Sequence, residues 1–349
     1  MKKILIVLIL LLVSLGAFAQ TTYDFTSKYQ PMFEDFAAAV ATALPLNSTI
    51  GLGWSDAYIG QLFDMPPHFG AGVSVGFTGI PYTVVKPLLD DMGATADFES
   101  SQLFPFIEKL GVPFPAYTFE GRVGGFLLDF DVGFKFGFIP KEVDVTQLVP
   151  NLDLDYTLIG FDVRFPLVKE EGMAPDISIG GGYNYLRGFV ALNGILGGDY
   201  TIQSVDVPGY GSYDITLTDP AISFLWESSV IDLKLQISKQ LLIFTPFVGA
   251  GASLSFSGAG GGLTSSIQLS PNDITIAELN AALQALGGDT IPEVTEQGFY
   301  IKTQTPMTFT ARAFGGLSID ILILRINLGA MYDFIGKNFG AEVGLRVQL

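Results

Sequence analysis

Few residues in this chain have types and spacings that could do chemistry. Its one histidine, His68, sits between Pro67 and Phe69, and there is no cysteine. The missing thiols exclude disulfides, thiolate metal sites and lipid attachment at a cysteine. A hydrolytic Ser-His or Asp-His pair needs its histidine beside a nucleophile, whereas a histidine between proline and phenylalanine reads as a turn residue. The run Gly258 to Gly262 is not followed by Lys and Ser/Thr, so it is no phosphate loop. Asp153 and Asp155 resemble the start of an EF-hand loop, but the sixth position is not glycine. The expectation is a protein that is not an enzyme, with no cofactor and no metal.

The remaining charges fall into a pattern with a period of two. From Phe130 the chain places Phe130, Val132, Phe134, Phe136 and Phe138 on one face and Asp131, Gly133, Lys135 and Gly137 on the other. Such alternation makes a strand, and an aromatic face opposite a charged one means lipid outside and a polar lumen inside. The same alternation recurs at Phe119–Leu127, Ile231–Ile237, Met307–Ile319, Ile321–Asp333 and from Phe339 to the last residue, Leu349. It is weaker at Ile50–Ile59, Phe69–Ile80, Leu152–Phe165, Ile177–Leu186 and Leu242–Phe256. In Leu152–Phe165 the outward phase slips near Leu158, which reads as a β-bulge. These are eleven segments, and single-chain bacterial barrels use even numbers. The fold expected is therefore all-β: a transmembrane antiparallel up-and-down barrel of about 12 strands, within a range of 10 to 14.

Composition agrees. Charged residues are only 15% of the chain, Phe numbers 29 and Gly 41, whereas a soluble domain carries about 25% charged residues. The first residues, Lys2 and Lys3, then apolar Ile4 to Leu15, then Ala17 and Ala19, read as a signal peptide (1–19) cleaved after Ala19, with export to a Gram-negative outer membrane. Removing Lys2 and Lys3 takes the net charge from −17 to −19. That acidity makes nucleic acid an improbable partner. Lipid of the outer membrane, and barrel-assembly machinery acting on the C-terminal strand, are the partners expected.

Twelve ionisable residues point inward on these strands: Glu120, Arg122, Asp131, Lys135, Asp162, Arg164, Asp232, Lys234, Arg312, Arg325, Glu342 and Arg346. Five acids and seven bases make the lumen mildly cationic. They are either paired ladders filling a narrow barrel or a lining that biases anion passage. Counting back from a final strand that ends in the periplasm gives short turns near Asp129, Lys239–Gln240 and Asp320 and a longer one at Val168–Pro175. Long connections at Pro81–Tyr117, Ala191–Pro220 and Ser257–Gln304 then lie outside, carrying the acidic excess.

Ahead of the barrel (47–349), residues 20–46 hold an amphipathic stretch, Tyr29–Ala43, with Phe33, Phe36 and Val40 on one side. It is a candidate lumenal plug, with Arg122, Arg312, Arg325 and Arg346 on the wall opposite. Short helices are expected in the outer loops at Tyr82–Asp91, Pro105–Leu110 and Ile274–Leu286. Their apolar residues, among them Val85, Leu89, Ile107 and Leu283, must cover either each other or an apolar ligand. A plug followed by a barrel with apolar outer-loop helices resembles, in plan, the long-chain fatty-acid transporter family. That resemblance implies capture of a hydrophobic compound outside and its release past the plug. The stretches Thr245–Leu254 (TPFVGAGASL) and the closing GAEVGLRVQL are similar to strands of many bacterial outer-membrane proteins. The expected function is a gated channel or transporter for a small, possibly hydrophobic, molecule; the alternative is a closed barrel with a structural or adhesive role at the cell surface.

Overall fold

The computed structural model describes residues 22–63, 67–91, 95–139, 152–192, 200–207, 211–271, 275–285 and 299–349. The signal peptide and its cleavage point lie outside them.

In chain order come α1 (Thr22–Ser48), β1 (Phe69–Ile80), α2 (Tyr82–Asp91), α3 (Thr95–Glu99), α4 (Phe104–Leu110), β2 (Val112–Gly124), β3 (Asp131–Phe138), β4 (Leu152–Val168), β5 (Asp176–Leu192), β6 (Tyr200–Val207), β7 (Gly211–Ser238), β8 (Phe244–Ser270), α5 (Ile276–Ala285), β9 (Phe299–Ile321), β10 (Leu324–Asp333) and β11 (Phe339–Gln348). Every pairing is antiparallel. β1 pairs with both β2 and β11, and β5 pairs with β7 rather than β6. The ring thus closes with ten strands, and β6 lies outside it. This is an outer-membrane β-barrel. Among the described residues no helix is long and apolar enough to cross a membrane.

The count of about 12 is corrected to ten, because Ile50–Ile59 is not a strand. Its alternation comes from a chain threaded through the lumen, touching wall on every side. The bulge expected near Leu158 is absent as well: β4 keeps its phase there, and its register shifts only between Pro166 and Val168. What changes near Leu158 is the chemistry of the inside. Tyr156 and Leu158 point inward and are buried, so apolar residues switch faces without any break in the strand.

The strands differ greatly in length. β3, β10 and β11 have 8 to 10 residues, whereas β7, β8 and β9 have 28, 27 and 23. β5 leaves β7 at Ile222 and β10 leaves β9 at Arg312. Beyond Ile222, β7 continues between β6 and the end of β8 as a three-stranded sheet, rising roughly 25 Å at about 3.3 Å per residue and a ~40° tilt, while the pairing of β9 with β8 ends at Phe299, opposite Leu263. Ala191–Pro220 and Ser257–Gln304, expected as loops, hold strand: β6 and the start of β7 in the first, the end of β8, α5 and the start of β9 in the second.

Threading has a direction. Phe36 packs on Phe224, high on β7, with ring centroids 5.1 Å apart. The carbonyl of Thr42 accepts from Asn338, in the β10–β11 connection (3.2 Å), and Asn47 donates to the carbonyl of Phe114 (2.9 Å). Lower still, Leu62 N donates to Gly125 O at the short-turn rim (3.0 Å). The chain therefore enters at the long-connection rim and descends. Because barrels of this kind put their short turns in the periplasm, a cysteine at exposed Asp35 is expected to react with an impermeant maleimide on intact cells, and one at exposed Lys169 only after the outer membrane is permeabilised. The reverse pattern would overturn this direction of threading.

Candidate functional site

An eight-stranded barrel is filled by its own side chains, so ten strands leave room for little more than one additional chain. Here that chain fills two storeys. In the outer half, α1 presents Ala37, Val40, Ala41, Ala43 and Leu44, all at most 1% exposed. The alanines keep the helix slim enough for the bore. Around it pack Ile80, Phe114, Leu158, Leu186, Phe224 and Trp226 from the strands, and Val85 and Leu89 from α2. Tyr82, Phe98 and Phe104 stack over this core at 5.2 to 6.3 Å. The outer-loop helices α2 to α4 thus cover each other and α1. Beside them, Lys86 bonds Glu99 (2.7 Å) and holds that carboxyl below its usual range, while burial and a hydrogen bond to Glu99 push the Tyr82 hydroxyl up to about 12.

In the inner half the chain is extended from Thr49 to Leu62 and meets polar walls. Glu342 accepts from Gly51 N (2.9 Å), Glu120 accepts from Leu52 N, and Lys135 donates to the carbonyls of Ser48 and Ile50 (2.6 and 2.7 Å). Left-handed φ values at Gly51, Leu52 and Gly60 let the segment bend at these contacts. A Cβ on Gly53 would fall 1.6 Å from Glu342 Oε1, so a larger residue there would have to push the Glu342 carboxylate from its place. Gln236 donates to the carbonyls of Trp54 and Ser55, and the Arg346 guanidinium lies 4.7 Å from the Trp54 ring centre.

Asp56 is the hub. It receives Arg325 at 2.7 Å and Arg346 at 2.9 Å, while its backbone carbonyl receives Arg164 at 2.5 Å. Farther down, Ala57 N donates to Ser238 and Ile59 N to Asp131. Among the wall residues themselves, Arg122 bridges Asp131 and Asp162, Lys234 pairs with Asp162, Arg164 with Asp131 and Arg312 with Asp232.

All twelve ionisable residues singled out in the sequence stand on lumenal positions, ten of them buried and Lys234 and Arg325 half-buried. Asp56, Asp320 and Asp333, lumenal acids that sequence reasoning missed, offset the excess of bases. The mild cationic excess disappears. Arg122, Arg325 and Arg346 surround Trp54 and Asp56 rather than the helix, and Arg312 belongs to the Asp232 pair. Of the plug residues, Val40 is buried and Phe36 half-buried; the Phe33 side chain lies outside the described residues. His68 lies at the short-turn rim against Gly60.

The sequence pattern of the Lsa36-like family matches residues 109–349, which is most of the chain. The chain belongs to the Lsa36-like family. In this Lsa36-like barrel the matched region runs from the end of α4 through β11, while α1, the threaded segment and β1 precede it. No curated protein sequence matches the chain. Among solved structures, the transport unit of the autotransporter AIDA-I from Escherichia coli is similar over 90% of this chain and 98% of its own, at 11% identity and TM-score 0.26. The Ralstonia pickettii toluene transporter TbuX is similar over 81% and 89%, at 8% identity and TM-score 0.24. LpxR from Salmonella typhimurium is similar over 79% and 99%, at 6% identity and TM-score 0.24. These likenesses are distant; the Lsa36-like barrel is defined by its own strand pairing.

The signal for Asp56 was present but ambiguous. An aspartate among Trp54, Tyr58 and Ile59 alternates as a strand residue does, and only the closure of ten other strands frees that segment for the lumen.

Proposed function

We propose that this protein is a closed barrel, stoppered by its own chain, that acts at the cell surface through the sheet formed by β6 and the upper parts of β7 and β8. The observation that carries this reading is the continuous occupation of the lumen from Phe36 to Leu62. A cavity of about 50 Å³ beside Gly53, Lys135 and Glu342 has room for a few waters. The raised sheet adds support, because among the described residues no further strand pairs with the outer edge of β6, and such an edge can take up a strand from a partner.

A gated route for a small apolar molecule is the second reading, favoured by one feature. The inner half of the threaded segment is held by ion pairs and hydrogen bonds, which a withdrawing chain can exchange for water. Planar-bilayer conductance separates the two. The surface reading expects no steady current from the mature protein, and loss of cell-surface binding when the β6–β7 hairpin is removed. The channel reading expects a ligand-dependent current in the intact protein.

A further inference from the structure

The short-turn rim carries an apolar feature that neither reading uses. Three of its hairpins, β4–β5, β7–β8 and β9–β10, close through the same two-residue loop: Gly172–Met173, Leu242–Ile243 and Leu322–Ile323. In each, the first loop residue has φ of 57°. Turn chemistry puts glycine at that position, as at Gly172. Leucine there is strained, yet it occurs twice. Nothing crowds the site, since a Cβ added to Gly172 meets no atom within 4 Å. Nor does the fold hide these side chains: Leu242 is 93% exposed, Leu322 96% and Met173 97%, and on the β2–β3 turn Leu127 is 88% exposed. The charges of the same turns face one another instead, Lys169 to Asp129 (2.6 Å) and Lys239 to Glu170 (2.9 Å). Strained, exposed leucines at turn tips imply an apolar medium that covers them.

We propose that the four turn tips are seated in lipid, at the acyl–headgroup boundary of the leaflet nearest the short-turn rim, and anchor the barrel at a fixed depth. Two observations select lipid over a protein. First, the tips occur on all four short hairpins, spaced around the ring, and a bilayer is an annular apolar partner whereas a docked protein covers one side. Second, the tips continue the apolar band. On β7 the outward face is apolar at Ile231, Leu233, Leu235 and Ile237 and turns polar above, at Ser229 and Glu227. At about 3.3 Å per residue and a ~40° tilt each residue descends about 2.5 Å, so a band ~25 Å tall starting at Ile231 ends about ten residues on, at the Leu241–Ile243 turn.

The lack of cysteine makes the test direct. Single variants Leu127→Cys, Met173→Cys, Leu242→Cys and Leu322→Cys, each carrying an environment-sensitive NBD label, are folded into phosphatidylcholine vesicles beside Lys109→Cys, an exposed outer position. The expected result is blue-shifted emission at the four tips, quenched at least twofold by lipid brominated high on the acyl chain, with water-like and unquenched emission at Lys109→Cys. Tips that behave like Lys109→Cys in vesicles would overturn the proposal. Tips unquenched in vesicles but shielded from maleimide in permeabilised cells would overturn it in favour of a periplasmic protein.

Discussion

Asp56→Ala is expected to destabilise the folded barrel by about 3 kcal/mol or more, the cost of leaving one side of a buried ion pair without its partner. Arg346 is almost fully buried and Arg325 largely so. Without Asp56, Arg346 keeps Ser55, Gln348 and the face of the Trp54 ring but no carboxylate partner, and Arg325 keeps a long contact with Asp320 at 3.5 Å. Two guanidinium groups, paired in register on neighbouring strands β10 and β11, then stand side by side without their shared carboxylate. Urea unfolding in lipid vesicles reads the loss. Asp56→Asn, which retains an acceptor, should lose less, and the double variant Asp56→Ala with Arg325→Leu should recover part of the difference. An unchanged urea midpoint for Asp56→Ala would mean that the threaded segment is not seated at this site.

The second large effect is expected at Leu44, fully buried in the outer storey. Leu44→Ala removes packing at a cost of about 2–5 kcal/mol. Leu44→Asp goes further, because the storey around it is built of Val40, Ile80, Phe114, Leu158 and Leu186. A carboxylate placed there loses its hydration without gaining a partner. The helix is therefore expected to leave the bore while the ten-stranded ring persists, since β-barrel pairing does not depend on it. The readout is proteolysis near Lys28 to Asp35 together with bilayer current: faster cleavage and a new conductance in Leu44→Asp, neither in Leu44→Ile. If Leu44→Asp resists protease as the parent does, α1 is not held by this packing.

Much of the wall was legible in the sequence, because alternation on a barrel strand is a local property. Phe134, Phe136 and Phe138 announce an outward face and Asp131 and Lys135 an inward one, without reference to any other strand. The outer-loop helix Tyr82–Asp91 was equally legible. Three features were not. Ile50–Ile59 alternates like a strand although it has no strand partner, because a chain threaded between polar walls also meets its surroundings on alternate sides. The slip near Leu158 looked like a bulge because the reading assumed one lumenal chemistry, whereas α1 makes the outer half of the lumen apolar. The extension of β7, β8 and β9 past the rim was hidden in segments rich in Gly, Ser and Thr, which carry little facial contrast.

The sequence by itself determined the kind of protein: an apolar, charge-poor, cysteine-free chain with period-two faces satisfies its backbone hydrogen bonds in a membrane only by closing into a barrel. The tertiary structure alone decided that ten strands close the ring, that the chain's own residues 36 to 62 fill the bore, and that Asp56 balances the lumenal arginines. Those outcomes depend on which distant segments meet, and ring closure and charge pairing across a bore leave no local trace in the order of residues.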